Sequence, residues 1–210
     1  MSPIQRILVL GGTGFVGRCV CERLVERSGG GGQLRVPTRR QRQANIVRTL
    51  PTVEVVQADV HDETQLRRLV AGMDAVINLV AILHGSAAAF QHVHVTLPRK
   101  LAAACRAEGV QRLVHVSALG VGPGAPSSYL RSKTEGEAVL QAAGLDLTIL
   151  RPSVIFGADD RFLNVFARLQ AVAPVMPLAG ADARFQPVWV EDVATAVVRC
   201  LDQPDTIGQT

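Results

Sequence analysis

Tyr129 is the only tyrosine in the chain, and Lys133, one of two lysines, follows it by four residues in "SSYLRSK" (127–133). Four residues is one helical turn, so on a helix the phenol and the ammonium share a face. A free phenol has a pKa near ~10 and moves protons poorly at neutral pH; a neighbouring ammonium favours the phenolate and lowers that value. Ser117 closes the run "RLVHVS" (112–117) and adds a hydroxyl able to hold a carbonyl or hydroxyl oxygen. Together the three suit proton transfer at a carbon–oxygen bond. The Tyr-x-x-x-Lys spacing alone is also common on solvated helix faces, so its meaning depends on the surrounding elements.

Those elements alternate. "ILVL" (7–10) is a continuous apolar run, as expected of a strand buried on both faces, and Val16, Val20, Leu24 and Val25 then recur at helical spacing. The glycine run "SGGGG" reads as a loop, followed by "QLRV" (33–36), a basic helix-like segment around 41–50 and "VEVVQ" (53–57). Leu66, Leu69, Val70 and Met73 share one side of a predicted helix near 62–71, and "AVINLVAI" (75–82) predicts the fourth strand. A helix over roughly 88–108, the Ser117 strand, a helix from the tyrosine heptad to about 143 and "LDLTILR" (145–151) continue the pattern. "PVWV" (187–190) predicts a short strand before a helix from Glu191 to about Leu201. Such alternation implies an α/β fold, a doubly wound parallel sheet of the Rossmann type. Residues 1–157 form the expected core, and 158–210 a partial substrate-side region with the last sheet elements, not an independent domain. A further strand would be natural after "DTIGQT", so truncation at the C-terminus is an expectation.

"LGGTGFVG" (10–17) sits where the first strand turns into a helix. Gly11 permits the sharp turn, Gly14 permits close approach of a pyrophosphate and Gly17 lets the helix pack on the sheet. The helix N-terminus offers free N–H groups and the positive end of its dipole to that phosphate. Thr13, Phe15 and Val16 belong to the same candidate site, as do Val60 after the third strand and Leu79, Val80 and Ala81 in the fourth. Where an NAD site usually carries an acid for the ribose 2′-hydroxyl, this chain reads "VPTRRQR". A guanidinium suits a 2′-phosphate, so Arg39 and Arg40 favour NADP(H), with Arg42 and Arg48 read as a solvated face. Asp59 is placed to meet an adenine amino group or to cap the next helix, a task that Asp62 fits better.

Composition narrows the partners. The chain has 210 residues, 48% of them apolar, and a net charge of +4. That charge suits nucleic acid, anionic lipid or a phosphorylated small molecule equally, but aromatics are too few for a nucleic-acid surface. No apolar run approaches the ~18–20 residues of a membrane span, and the N-terminus lacks a signal-peptide pattern, which predicts a cytoplasmic location, free or peripheral to a membrane. Cys19, Cys21, Cys105 and Cys200 lack zinc spacing and read as buried thiols of a reducing compartment. His92 and His94 fall on different helix faces and read as ordinary polar or packed histidines, so no metal is expected.

The glycine loop, Ser117, Tyr129 and Lys133 together resemble the short-chain dehydrogenase/reductase superfamily in its extended or atypical branch, over essentially the whole chain. The resemblance implies that Ser117, Tyr129 and Lys133 are the catalytic serine, tyrosine and lysine, with Lys133 also on the cofactor ribose. It implies that "LRPSVIFG" (150–157), with Pro152 and Val154, lines the nicotinamide pocket. "SSYLRSKTEGE", "RPSVIFGADDRFLN" and "RFQPVWVEDVA" are similar to the family of the NADPH-binding accessory subunit of respiratory complex I and its bacterial relatives, "DRFLN" (160–164) most specifically. Family members usually run well beyond this length, and many carry an asparagine at the position of His94, so a proton relay through that residue is not expected in the same form.

Two functions of different class follow. One is an NADP(H)-dependent oxidoreductase, or an epimerase or dehydratase that uses the nicotinamide transiently, acting on an unidentified small molecule. The other is a nucleotide-binding structural or redox-sensing subunit of a respiratory assembly, with "LQAVAPVMPLAG" (169–180) as a docking surface or, alternatively, a loop over the pocket. A nucleotide-sensing transcriptional regulator fits less well, because such proteins tend to lack the tyrosine. Phe156, Phe162, Phe166 and Trp189 are the aromatic candidates for lining a substrate pocket.

Overall fold

A computed structural model describes residues 4–160, 163–172 and 184–210. In chain order the elements are β1 (Arg6–Leu10), α1 (Phe15–Ser28), β2 (Gln33–Thr38), α2 (Asn45–Arg48), β3 (Val53–Gln57), α3 (Glu63–Val70) and β4 (Ala75–Asn78). Then come α4 (Ala87–Gln91), α5 (Leu97–Glu108), β5 (Arg112–Val116), α6 (Ser128–Gln141), β6 (Asp146–Leu150) and β7 (Ile155–Phe156). The last are α7 (Leu163–Val172), β8 (Val188–Trp189) and α8 (Val190–Asp202).

Six strands form one parallel sheet in the order β3-β2-β1-β4-β5-β6, the doubly wound arrangement. β1 shows why its apolar run is unbroken. Ile7 and Val9 face a core shared with α1 and α8, and Leu8 and Leu10 face a second core shared with α3 and α5. The strand order reverses between β1 and β4, so a crevice opens at their carboxyl ends, where such sheets bind ligands. β7 and β8 form a separate parallel pair, and α8 returns to pack its Val193, Ala194 and Val197 into the α1 side.

Some boundaries differ from the sequence pattern for identifiable reasons. The apolar run predicts a fourth strand to Ile82, but β4 stops at Asn78. Beyond it, the Val80 N–H donates to Asn78 Oδ1 and the Ile82 N–H to His94 Nε2, so side chains replace a neighbouring strand as acceptors. The basic segment predicted as one helix is a 3-10 turn (Gln41–Ala44) followed by the single turn of α2. The helix predicted over 88–108 follows one helical path with a π turn at His92–Thr96, where the Leu97 N–H reaches back to the His92 carbonyl. Pro98 has no N–H to give the His94 carbonyl, which removes an α-helical bond at that point. After α8 the Gly208 N–H donates to Leu147 O at 2.7 Å, and the Ile149 N–H to Gln209 O at 3.1 Å, along the outer edge of β6.

Candidate active site at the dinucleotide crevice

The glycine loop shapes one wall of the crevice. Gly11 has a φ of +82°, a conformation L side chains rarely adopt, and a Cβ there would lie 3.1 Å from the Leu79 carbonyl carbon. A Cβ on Gly17 would sit 2.1 Å from the Gly11 oxygen, so the first turn of α1 lies directly on the loop. Gly14 occupies the N-cap without a side-chain cap, and the first turn holds no acid, which leaves its N–H groups to an anion. Spacing assigns no role to Gly12, yet its Cβ would meet Val36 Cγ1 at 2.8 Å; the doubled glycine is its only local signal. Thr13, Phe15 and Val16 flank these positions, and Leu79, Val80 and Ala81 leave β4 opposite them.

On the β2 side Arg39 and Arg40 are exposed, with no side-chain partner among the described residues. The Thr38 hydroxyl bonds both the N–H and the carbonyl of Arg40, fixing the turn that presents them. Arg35 is different: it pairs with Glu54 and donates to the carbonyls of Leu69 and Ala71, a structural role. Asp62 caps α3 through the Gln65 N–H at 2.8 Å. Asp59, exposed before Val60, accepts the His61 N–H and shapes the turn. His61 stacks on His92 with ring centroids 4.0 Å apart, and burial lowers its pKa.

The β5 side holds the titratable cluster. Ser117 is 5% exposed, and among the described residues its buried Oγ has no hydrogen-bond partner, a costly state for a hydroxyl that no ligand will meet. Lys133 is buried on α6 and donates from Nζ to the Val116 carbonyl at 2.8 Å. Burial pulls its pKa down to about 8, opposed by the charge of Glu137. Glu137, also buried, forms a two-pronged pair with Arg151 at 2.6 and 3.1 Å. Burial raises the Tyr129 pKa in the protein alone, whereas the expected lowering counts an oxidised nicotinamide as well as the Lys133 charge.

Two histidines adjoin this cluster: His94, read from the sequence as an ordinary polar or packed residue, and His115, to which the sequence pattern assigns no role. His115 is completely buried, and Asn78 fixes its tautomer. Asn78 Oδ1 accepts the Val80 N–H, so Nδ2 is the amide atom 3.2 Å from His115 Nδ1, and the imidazole proton lies on Nε2. That buried Nε2 has no partner among the described residues, and desolvation, Lys133 and His94 hold the ring neutral. His94, 3% exposed, is pushed down to about 4 by burial and by Lys133.

The segment after β6 joins the same edge. The Pro152 carbonyl accepts the Leu119 N–H, the Ser117 N–H donates to Leu150 O, and the Val154 carbonyl accepts the Val188 N–H. Asp160 Oδ1 caps the Leu163 and Asn164 N–H groups, while Asn164 Nδ2 bonds the carbonyls of Gly157, Ala158 and Asp160. These two ends of "DRFLN" therefore knot the loop to α7; Arg161 and Phe162 lie outside the described residues, as does most of the apolar stretch to Gly180. Phe156 is half-buried in β7, Phe166 lies on α7 and Trp189 is 49% exposed. Cys19, Glu22 and Glu191 converge on one spot, but Glu191 is already paired with Arg23, and burial holds the Cys19 thiol at about 11.

The profile of the family described as NAD(P)H-binding matches residues 11–204, from the glycine loop past α8. The chain belongs to that NAD(P)H-binding family. With it goes membership of the extended short-chain dehydrogenase/reductase branch. The chain is 34% identical over 209 residues to the mitochondrial NADH dehydrogenase [ubiquinone] 1 alpha subcomplex subunit 9 of Mus musculus, covering 96% of this chain and 54% of that protein. It is 32% identical over 177 residues to a 4-hydroxy-2-methyl-3-oxo-4-farnesyl-3,4-dihydroquinoline-1-oxide ketoreductase of Stigmatella aurantiaca, covering 74% of this chain and 52% of that one. The chain thus spans about half the length of the curated relatives it matches. Among solved structures, a dTDP-glucose 4,6-dehydratase from Streptomyces venezuelae superposes with a TM-score of 0.84 at 24% identity, over 98% of this chain and 74% of that chain; the likeness shows the fold. The α1 N-terminus is uncapped, and the Ser117 hydroxyl has no hydrogen-bond partner among the described residues. Among the described residues no helix is long and apolar enough to cross a membrane.

Proposed function

We propose that the protein is an NADP(H)-dependent oxidoreductase, or an epimerase or dehydratase of the same type, acting on a small carbonyl or alcohol. The observation that carries this reading is the Ser117 hydroxyl, buried at the carboxyl edge of β5 and without a partner among the described residues. A substrate oxygen gives that hydroxyl the partner it lacks. Reduced nicotinamide supplies a hydride when bound, and its oxidised form accepts one. In this reading Gly11, Gly14 and Gly17 admit the pyrophosphate, Arg39 and Arg40 take the 2′-phosphate, and Asp59 and Val60 border the adenine. Lys133 donates to the ribose hydroxyls. Pro152 and Val154 line the nicotinamide side, Ser117 orients the substrate oxygen and Tyr129 exchanges its proton with it. The raised pKa of Tyr129 suits a proton donor, and an oxidised nicotinamide and the Lys133 charge would favour the phenolate once the crevice is filled.

A second reading has its own support in the 34% identity to the complex I subunit over nearly the whole chain. Here the protein holds NADPH as a structural or redox-sensing component of a respiratory assembly, at the periphery of a membrane, and Tyr129 stays idle. Turnover of NADPH by wild type and Tyr129→Phe, across a panel of carbonyl substrates and quinones, separates the two. The first reading expects oxidation by wild type and a loss of a hundredfold or more in the variant, the order of a general-acid contribution, ~10²–10⁴. Both proteins binding NADPH while neither oxidises it would leave the second.

A further inference from the structure

His94 sits in the π turn between α4 and α5, and both ring nitrogens are engaged. Nε2 lies 3.1 Å from the Ile82 backbone nitrogen, and Nδ1 lies 2.8 Å from the Ser132 hydroxyl. A backbone N–H only donates, so Nε2 carries no proton. The Ser132 hydroxyl donates to the Tyr129 carbonyl at 2.7 Å, so a lone pair of that oxygen faces Nδ1. The imidazole proton is therefore on Nδ1, and the ring is neutral. Donation runs one way, from the Ile82 N–H through His94 and Ser132 to the carbonyl of Tyr129.

This chain joins two walls of the crevice. It starts in the loop after β4, whose Leu79 lies against Gly11, and it ends on the residue that carries the phenol. The imidazole also meets the Tyr129 ring edge-on, with centroids 5.4 Å apart at 84°, and Phe90 packs against both rings. Two residues make the approach possible. Pro98 leaves the His94 carbonyl without its α-helical donor, and Gly136 on α6 presents bare backbone to that carbonyl, which a Cβ would meet at 1.9 Å.

We propose that His94 is a neutral strut that fixes the loop after β4 against the Tyr129 turn of α6, and so positions the phenol over the nicotinamide half of the crevice. It is a positioning residue: with Nε2 accepting and Nδ1 donating within the protein, neither nitrogen is left to exchange a proton with a ligand. The proposal rests on the crevice being the dinucleotide site and does not require turnover.

The first test is on wild-type protein. Nuclear magnetic resonance of ¹⁵N-labelled histidine at neutral pH should show His94 as the neutral Nδ1–H tautomer, with and without NADPH. A charged ring or an Nε2–H tautomer overturns the strut. The second test compares two ligands, NADPH and 2′,5′-ADP, which lacks the nicotinamide half. His94→Phe keeps a ring and removes both hydrogen bonds. It should weaken NADPH about fivefold or more, the order expected for losing a hydrogen bond of ~1 kcal/mol, and leave 2′,5′-ADP within about twofold. Equal losses for both ligands, or no loss, overturn it. Ser132→Ala breaks only the second link and should show the same split, so the comparison stands if His94→Phe does not fold. Wild type that binds neither ligand overturns the dinucleotide reading instead, whatever tautomer His94 adopts.

Discussion

Lys133 Nζ donates to the Val116 carbonyl at 2.8 Å, which anchors a buried ammonium one residue before Ser117. Burial lowers its pKa from 10.5 to about 8. A base whose pKa is lower in the folded than in the unfolded chain makes folding cost more while it is charged. That cost is full below about pH 8 and fades as pH rises towards the unfolded value, with a ceiling of about 3 kcal/mol. Lys133→Met should therefore melt no lower than wild type at neutral pH without ligand, and wild type should gain on the variant between pH 8 and pH 10. Binding reverses the preference, because only the ammonium can donate all its protons to carbonyl and ribose oxygens. NADPH affinity of wild type should fall above about pH 8, and that of Lys133→Met should be weaker and flat there. Melting curves and NADPH titrations over this window test both; a variant much less stable than wild type at neutral pH refutes the first.

The proposed preference for NADP(H) rests on Arg39. It is exposed at the end of β2 with no side-chain partner among the described residues, unlike Arg35, which is tied to Glu54. A charge-assisted hydrogen bond to a phosphate is worth about 1.5–3 kcal/mol, or roughly tenfold or more in affinity. Arg39→Asp should lower the ratio of NADPH to NADH affinity by at least that factor, with NADH itself little changed. Titrations followed by the fluorescence of the reduced nicotinamide measure the ratio. Equal affinities of wild type for the two nucleotides would remove the NADP assignment.

The strands were legible because a doubly covered sheet imposes a run of apolar residues that needs no distant information. Ile7–Leu10, an unbroken apolar run, is buried at every position in β1. The glycine loop and the Tyr129–Lys133 pair were legible for a similar reason: each depends on local geometry, a tight turn or one turn of helix. The end of β4 was not. Val80 and Ile82 look strand-like, and only the side chains of Asn78 and His94 divert their N–H groups. His94 reads as an ordinary polar or packed histidine and is indeed buried, but its partners, the Ile82 N–H and the Ser132 hydroxyl, lie in segments far from it in sequence, so its ties could not be read from spacing. The burial that raises the Tyr129 pKa was hidden too, since it comes from elements far apart in sequence.

Gly136 is the residue whose loss tests this packing most directly. It lies inside α6, where alanine is normally better than glycine by up to ~1 kcal/mol, so helix propensity favours the substitution. The space does not. A Cβ would lie 1.9 Å from the His94 carbonyl oxygen and 3.1 Å from its carbon, both backbone atoms, so the helix and the π turn must separate. Overpacking of this kind costs about 1–3 kcal/mol. Gly136→Ala should lose stability in that range and weaken NADPH binding, because the separated segments carry Tyr129 and His94. Gly122→Ala is the control: nothing lies within 4 Å of its Cβ, and its stability should stay within about 0.5 kcal/mol of wild type. Chemical denaturation of the three proteins decides the matter; Gly136→Ala as stable as wild type would mean that α6 does not press on the π turn in solution.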